Sequence, residues 1–180
     1  PGAFEDIRAV VYDFCESRAG AHARTFLGEW KGSLVCDDFS GYKAGFANGV
    51  TEAGCLAHAR RKFFDLHASN KSQVAETALQ LIGQVYGIER ELKGLDADER
   101  QRIRQVRSKP VLDALHRWML LTRQKITNGS ATAKALDYSL NRWTALTQFV
   151  DDGRLPVDNN HIENQIRPIA LGRANWLFAG

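Results

Sequence analysis

Apolar residues recur at intervals of three and four over most of the chain after residue 57, which predicts a mainly helical region. The clearest stripe runs from Ser72 to Lys93, where Ser72 can cap the helix and Gly94 can end it. Pro110 is expected to open another helix, with Ser108 before it as a cap. The other helices predicted from this pattern lie over 58–68, 98–107, 130–151 and 160–169.

The first third of the chain has short apolar runs that are typical of strands. Arg8 to Cys15 is rich in β-branched and aromatic residues, and Gly32 to Cys36 and Val50 to Cys55 are two further runs. A short helix is predicted over His22 to Trp30 and a loop over Ser40 to Tyr42. Because strands come first and helices follow, the pattern indicates a helix-rich α+β fold.

Composition fits one compact domain with a sizeable core, since the 180 residues are 44% hydrophobic and 25% charged. The three cysteines, Cys15, Cys36 and Cys55, have no tight spacing, which favours a reducing, cytoplasmic setting over a disulfide framework. No run of about 18 apolar residues is present, so no membrane span is expected. The chain starts at Pro1 and Gly2 without a methionine and ends straight after an apolar segment, and we expect it to be a piece of a longer protein.

A formal net charge of +3 permits a polyanionic partner without demanding one, but the basic residues are clustered. Arg60, Arg61 and Lys62 form a first patch, and the segment 100–107 carries a second. Either patch can be an ordinary solvated helix face. The first follows the strand region closely, which makes contact with phosphates a credible role for it.

Two carboxylates stand out as candidates for metal-dependent chemistry. Asp37 follows an apolar run, so it is predicted at the carboxyl end of a strand, where open sheets build their sites. Glu163 lies one turn into the last predicted helix, within a polar segment that begins at Asp158. The alternatives are a turn role for Asp37 and a capping box in which Asn160 caps the helix and Glu163 reaches back to it.

Cys55 and His58 form a Cys-x-x-His pair, which is half of a possible zinc site. A matching second pair is missing, so the pair is weak support for zinc. The other interpretation is a buried Cys55 at a strand end, with His58 orienting a neighbour or a phosphate.

Together these segments resemble the transposases of the insertion-sequence-sixty-six family, a group of bacterial DDE transposases. The resemblance covers nearly the whole chain, and its motifs are more specific together than singly. They are Leu34 to Tyr42 (LVCDDFSGY), Gly54 to Phe63 (GCLAHARRKF), Tyr86 to Glu89 (YGIE), Asp158 to Pro168 (DNNHIENQIRP) and Leu171 to Gly180 (LGRANWLFAG).

The resemblance implies an RNase H-like catalytic core over 1–57 and 155–180, interrupted by a helical insertion over 58–154. It implies that Asp37 and Glu163 are the second and third acids of a DDE triad that holds two Mg²⁺ ions. The first acid is expected upstream of this chain, so we expect an incomplete sheet and no independent activity from residues 1–180. The intact protein would cleave DNA and transfer strands, acting on transposon ends and target DNA as a homo-oligomer.

The same resemblance gives candidate roles to residues around the acids. The DNA-binding candidates are Arg60, Arg61, Lys62, Arg167 and Arg173. Cys55, His58, Asn160 and His161 are candidates for supporting the site or touching DNA. Two alternatives stay open: a non-catalytic helical protein that binds nucleic acid or a partner, and a related nuclease that cuts without joining.

Overall fold

The computed structural model describes residues 11–13, 15–17 and 19–176, without the side chains of residues 169, 170 and 173–176. Two strands and nine α-helices are formed within these residues. In chain order they are α1 (Gly20–Leu27), β1 (Gly32–Cys36), α2 (Lys43–Phe46), β2 (Val50–Gly54), α3 (Leu56–Asn70), α4 (Gln73–Glu91), α5 (Ala97–Ile103), α6 (Lys109–Arg123), α7 (Ala131–Asn141), α8 (Trp143–Thr147) and α9 (Asn160–Trp176).

The two strands form a parallel pair, with Gly32 opposite Val50 and Cys36 opposite Gly54. Parallel strands need a crossover of a dozen or so residues, and the segment 37–49 provides it. The two strand predictions that fall on described residues are therefore confirmed, as is the helix-rich α+β class. The predicted strand over Arg8 to Cys15 lies largely outside the described residues, and its described part, 11–13 and 15, is not in a strand.

Helices α3, α4, α6 and α7 pack on one another, and α8 packs on β2. One apolar core joins the sheet to the helices, because Ala53 of β2 belongs to the same buried cluster as Leu56, Phe63, Leu136 and Phe149. The division into 1–57 with 155–180 and an insertion over 58–154 stays a prediction. Within the described residues, no helix is both long and apolar enough to cross a bilayer.

Helix α4 has the start that the sequence predicts, since the Ser72 hydroxyl accepts a hydrogen bond from the Ala75 amide at 3.3 Å. The helix predicted over Ser130 to Asp151 is wrong in its continuity. It divides at Arg142, whose backbone leaves the helical region at φ −109°, and it ends in a 3₁₀ turn at Gln148–Val150. The side chain of Arg142 is held by acidic groups at the sheet, and this tertiary contact overrides the local helical preference.

Three further predictions need correction. Helix α6 does not begin at a Ser108 cap, because a π-helical turn over Arg104–Ser108 joins it to α5 and Ser108 is buried. The loop predicted at Ser40 to Tyr42 is a 3₁₀ turn that leads into α2. Helix α9 continues beyond its predicted end and contains Pro168, which has no amide hydrogen to donate to the helical ladder.

Candidate functional site

The start of α3 and the start of α9 are tied together by the residues around Cys55. The Leu56 amide donates to the Val157 carbonyl at 3.0 Å, and the Asn159 amide donates to the Cys55 thiol sulfur at 3.4 Å. Burial raises the pKa of the Cys55 thiol, so the sulfur stays protonated and acts as a packing and acceptor group. This arrangement agrees with the interpretation of Cys55 as a buried residue at a strand end.

Asp158 organises the first turn of α9. Its carboxylate accepts from the Asn160 amide at 3.1 Å and from the Asn160 side chain at 3.0 Å. It also accepts from the Tyr86 hydroxyl of α4 at 2.8 Å, and burial together with this carboxylate raises the pKa of Tyr86. Tyr86 and Asp158 therefore fix the position of α9 on α4.

The capping box of Asn160 and Glu163 is wrong. Asn160 is already the first residue of α9, and the Glu163 amide donates to the Asn159 carbonyl at 3.1 Å, so the side-chain cap comes from Asp158. The Glu163 carboxylate instead lies 3.5 Å from Nε2 of His58, in the first turn of α3. Both side chains are partly exposed, at 48% for Glu163 and 32% for His58, so the pair faces solvent.

Helices α3, α4 and α9 enclose a cleft of about 660 Å³ at this junction, which we call the basic cleft. Its lining residues are Ala57, His58, Arg60, Arg61, Phe64, Gly83, Tyr86, Arg90, Asn160 and Glu163. Five of the residues proposed from the sequence meet here: His58, Arg60, Arg61, Asn160 and Glu163. Among the described side chains, no acidic group lies within ion-pairing distance of Arg60, Arg61 or Arg90. The cleft thus concentrates positive charge next to one carboxylate.

The other basic candidates lie elsewhere. Lys62 projects from α3 away from the cleft, with its Nζ 5.5 Å from the centre of the Tyr138 ring. Arg167 and His161 are exposed on α9, and the side chain of Arg173 lies outside the described residues. Three consecutive basic residues cannot share one helix face, because each residue turns the helix by about 100°.

Asp37 lies directly after β1, at the carboxyl end of the strand as predicted, and its carboxylate accepts from the Phe39 amide at 3.1 Å. Beside it, the Arg142 guanidinium pairs with Asp38 and with Glu52 at 2.5 Å, and its Nη2 lies 3.4 Å from the Asp37 carbonyl oxygen. Burial and the Glu52 charge raise the pKa of the Cys36 thiol to about 12. The strand end is thus a charged site fixed by one arginine.

Asp37 and Glu163 are connected through the sheet, but their side chains line different hollows. Asp37 contributes to a hollow of about 300 Å³ with His22 and Tyr42, whereas Glu163 belongs to the basic cleft. Cys36 and Gly54 pair across the sheet, and Asp37 and Cys55 are the residues that follow them. Cys55 in turn contacts Asn159, just before α9. The described residues contain no group of three or more His, Cys, Asp or Glu side chains placed to hold a metal ion.

Sequence reasoning missed Phe64, Tyr86, Arg90 and Arg142. The sequence does contain a signal for Tyr86 and Arg90 on α4. Together with Gly83 they recur at spacings of three and four, which places them on one face of the helix beside the apolar stripe. No comparable signal existed for Arg142, since its acidic partners are 90 and 104 residues away.

Comparison with known proteins gives one family match and several relatives. A profile of the family described as "Transposase IS66 family" matches residues 2–180. Uncharacterized protein y4jD of Sinorhizobium fredii is 40% identical over 179 residues, covering 96% of this chain and 35% of that protein. Uncharacterized protein y4hP of the same organism is 36% identical over 189 residues, covering 96% of this chain and 34% of that protein. The chain therefore spans about a third of the length of these relatives. No solved structure matches it at a significant level.

Proposed function

Because the chain belongs to the IS66 transposase family, we propose that it forms part of the catalytic region of a transposase that cleaves DNA and joins strands. The observation that carries this function is the basic cleft, which Glu163 lines together with Arg60, Arg61 and Arg90, three arginines without an acidic partner among the described side chains. Arginine side chains provide the phosphate contacts that dominate affinity for DNA. A carboxylate beside them lies where a phosphodiester would be held.

Asp37 and Glu163 are proposed as two of the acids that bind Mg²⁺ in the intact protein. Their oxygen atoms suit a hard cation, which usually takes one or two carboxylates from the protein. A two-ion site needs more than these two side chains, and the described residues do not assemble one. A further carboxylate from elsewhere in a longer chain would complete the set, and the bound ions would supply the Lewis-acid chemistry of strand cleavage.

The chain's own residues have separate roles in this scheme. Arg60, Arg61 and Arg90 bind phosphates, and His58 orients the Glu163 carboxylate. Arg142 fixes the strand end that presents Asp37. The scheme also includes an RNase H-like catalytic core and a homo-oligomer on DNA. The parallel strand pair, with acidic residues at its carboxyl end, is compatible with such a core.

Substitution of Glu163 tests the catalytic role. In the full-length protein, Glu163→Gln should abolish Mg²⁺-dependent nicking and joining of a labelled transposon-end DNA while leaving its binding nearly unchanged, because only a ligand charge is lost. A matched control is Glu99→Gln, since Glu99 is also in the first turn of a helix and is 45% exposed. Full activity in Glu163→Gln would refute the catalytic role of Glu163.

A further inference from the structure

We propose that the basic cleft holds an unpaired nucleotide of the DNA, with its phosphates at Arg60, Arg61 and Arg90 and its base stacked on Phe64. This inference rests on the proposed function, because it takes DNA as the ligand, and it adds which form of DNA enters the site. Aromatic side chains beside basic groups are the usual means of holding single strands, since every base has a face that can stack.

Phe64 has the exposure that stacking requires. The α3 helix buries its neighbour Phe63 completely in the core, at 0% exposure, and leaves Phe64 52% exposed on the wall of the cleft. Arg60 lies one helical turn before Phe64, so a phosphate bound by Arg60 places the attached base near the ring. An apolar ring of this size in a basic cleft adds nothing to phosphate binding, whereas it suits the flat face of a base.

The dimensions of the cleft favour a nucleotide over a duplex. A volume of about 660 Å³ lies in the range of pockets that enclose small ligands. On the opposite wall, a Cβ added to Gly83 in the middle of α4 would meet nothing within 4 Å. The cleft is therefore open above Gly83, with room for a ligand.

The charges of the cleft are available for a ligand. Elsewhere in the described structure, Arg104, Arg107 and Arg142 each pair with a carboxylate. Arg90 approaches from α4 while Arg60 and Arg61 approach from α3, so phosphates on either side of one nucleotide can be bound at the same time. Glu163 lies at the α9 end of the same cleft, which places the bound strand beside the proposed catalytic acid.

The test compares two DNA probes by fluorescence anisotropy with the full-length protein. One probe is a blunt duplex, and the other is the same duplex with a single-stranded extension of about ten nucleotides, within the site sizes of single-strand binders. The wild type should bind the extended probe more tightly. Phe64→Ala should weaken binding of the extended probe by roughly ten-fold or more, because a stacked base is lost, and leave the blunt duplex unchanged.

Three variants separate stacking from general effects. Phe64→Trp should keep the preference, and Gly83→Leu should reduce it by filling the cleft. Phe26→Ala is the matched control, since Phe26 is 58% exposed on α1 and does not line the cleft.

Equal binding of both probes by the wild type, or an equal loss on both probes in Phe64→Ala, would overturn the inference. If the preference persists while Glu163→Gln still cleaves DNA, the catalytic role fails and the nucleotide site stands.

Discussion

At the scale of single residues, Arg104 has the most demanding environment in the described structure. It is 1% exposed, and its guanidinium donates to both carboxylate oxygens of Glu89, at 2.9 and 2.7 Å. Its Nη1 also donates to the carbonyls of Phe149, Asp152 and Leu155 at 2.9, 3.2 and 2.9 Å. Arg104 therefore fixes the segment that leads towards α9 onto helix α4.

Removing this side chain should strongly destabilise the protein. Arg104→Ala leaves the largely buried Glu89 without its partner and three carbonyls without a donor, which typically costs about 3–5 kcal/mol. Urea unfolding followed by circular dichroism measures the change. The control is Arg107→Ala, because Arg107 pairs with Glu91 on the same two helical segments but at the surface, and a much smaller loss is expected.

A double variant, Arg104→Ala with Glu89→Ala, should recover part of the stability lost in the single variant, since no unpaired charge remains. A loss in Arg104→Ala no larger than that in Arg107→Ala would contradict the buried role. The sequence cannot indicate this role, because the partners of Arg104 are 15 and 45–51 residues away. It predicts only a basic helical segment, in which Arg104 resembles its exposed neighbours.

The residues of the cleft were only partly predictable for a related reason. Clustering of charge indicates Arg60, Arg61 and Lys62 together, but it does not show which side of the helix each one occupies. Arg60 and Arg61 line the cleft, whereas Lys62 faces Tyr138. Spacing alone offers Asn160 as one possible cap of α9. The structure gives it to Asp158, two residues earlier, because Tyr86 of a distant helix holds that carboxylate in place.

At the scale of elements, Gly153 allows the segment after α8 to lie directly against the backbone of α5. A Cβ at position 153 would lie 1.8 Å from the Ala97 carbonyl oxygen and 2.6 Å from its carbon, both backbone atoms that cannot move aside. In the sequence, Gly153 follows the predicted helix over 130–151 by two residues and indicates only the end of that helix. In the structure, the absence of a side chain at Gly153 is what lets this segment and α5 pack backbone against backbone.

Gly153→Ala should therefore lower the free energy of unfolding by about 1–3 kcal/mol or more, as overpacking does. Gly83→Ala is the matched comparison in α4, where no atom lies within 4 Å of the new methyl group, and it should gain about 0.5–1 kcal/mol. Thermal unfolding of both variants beside the wild type measures the difference. A neutral Gly153→Ala would show that the two segments are not in contact.

Elements governed by local pattern were predicted well, and those governed by distant contacts were not. Helix α4 has an uninterrupted apolar stripe and a serine cap, and both follow from residues within the helix. The break at Arg142 and the π-helical join before α6 depend on ion pairs and burial set by other parts of the chain. A local pattern does not contain that information.

At the scale of the whole molecule, sequence motifs gave the family, and the family match over residues 2–180 confirms it. The helix-rich α+β class was also predictable, although α1 precedes both strands and α2 lies between them. The cleft was not, because its walls come from 57–64, 83–90 and 160–163, and only packing brings these segments together. The charge of the cleft has a consequence for the whole protein, because the proposed binding to DNA should depend on salt in proportion to the phosphates neutralised.

Substitution of the cleft arginines should change that salt dependence. In the full-length protein, Arg61→Gln and Arg90→Gln should each reduce the slope of log K against log salt by about 0.7–0.9, the effect of losing one phosphate contact. Arg107→Gln removes the same charge but should leave the slope unchanged, because Arg107 is already paired with Glu91 at 2.6 Å. Anisotropy titrations at several salt concentrations measure the slopes. Equal effects of all three substitutions would show that net charge, and not the basic cleft, governs binding.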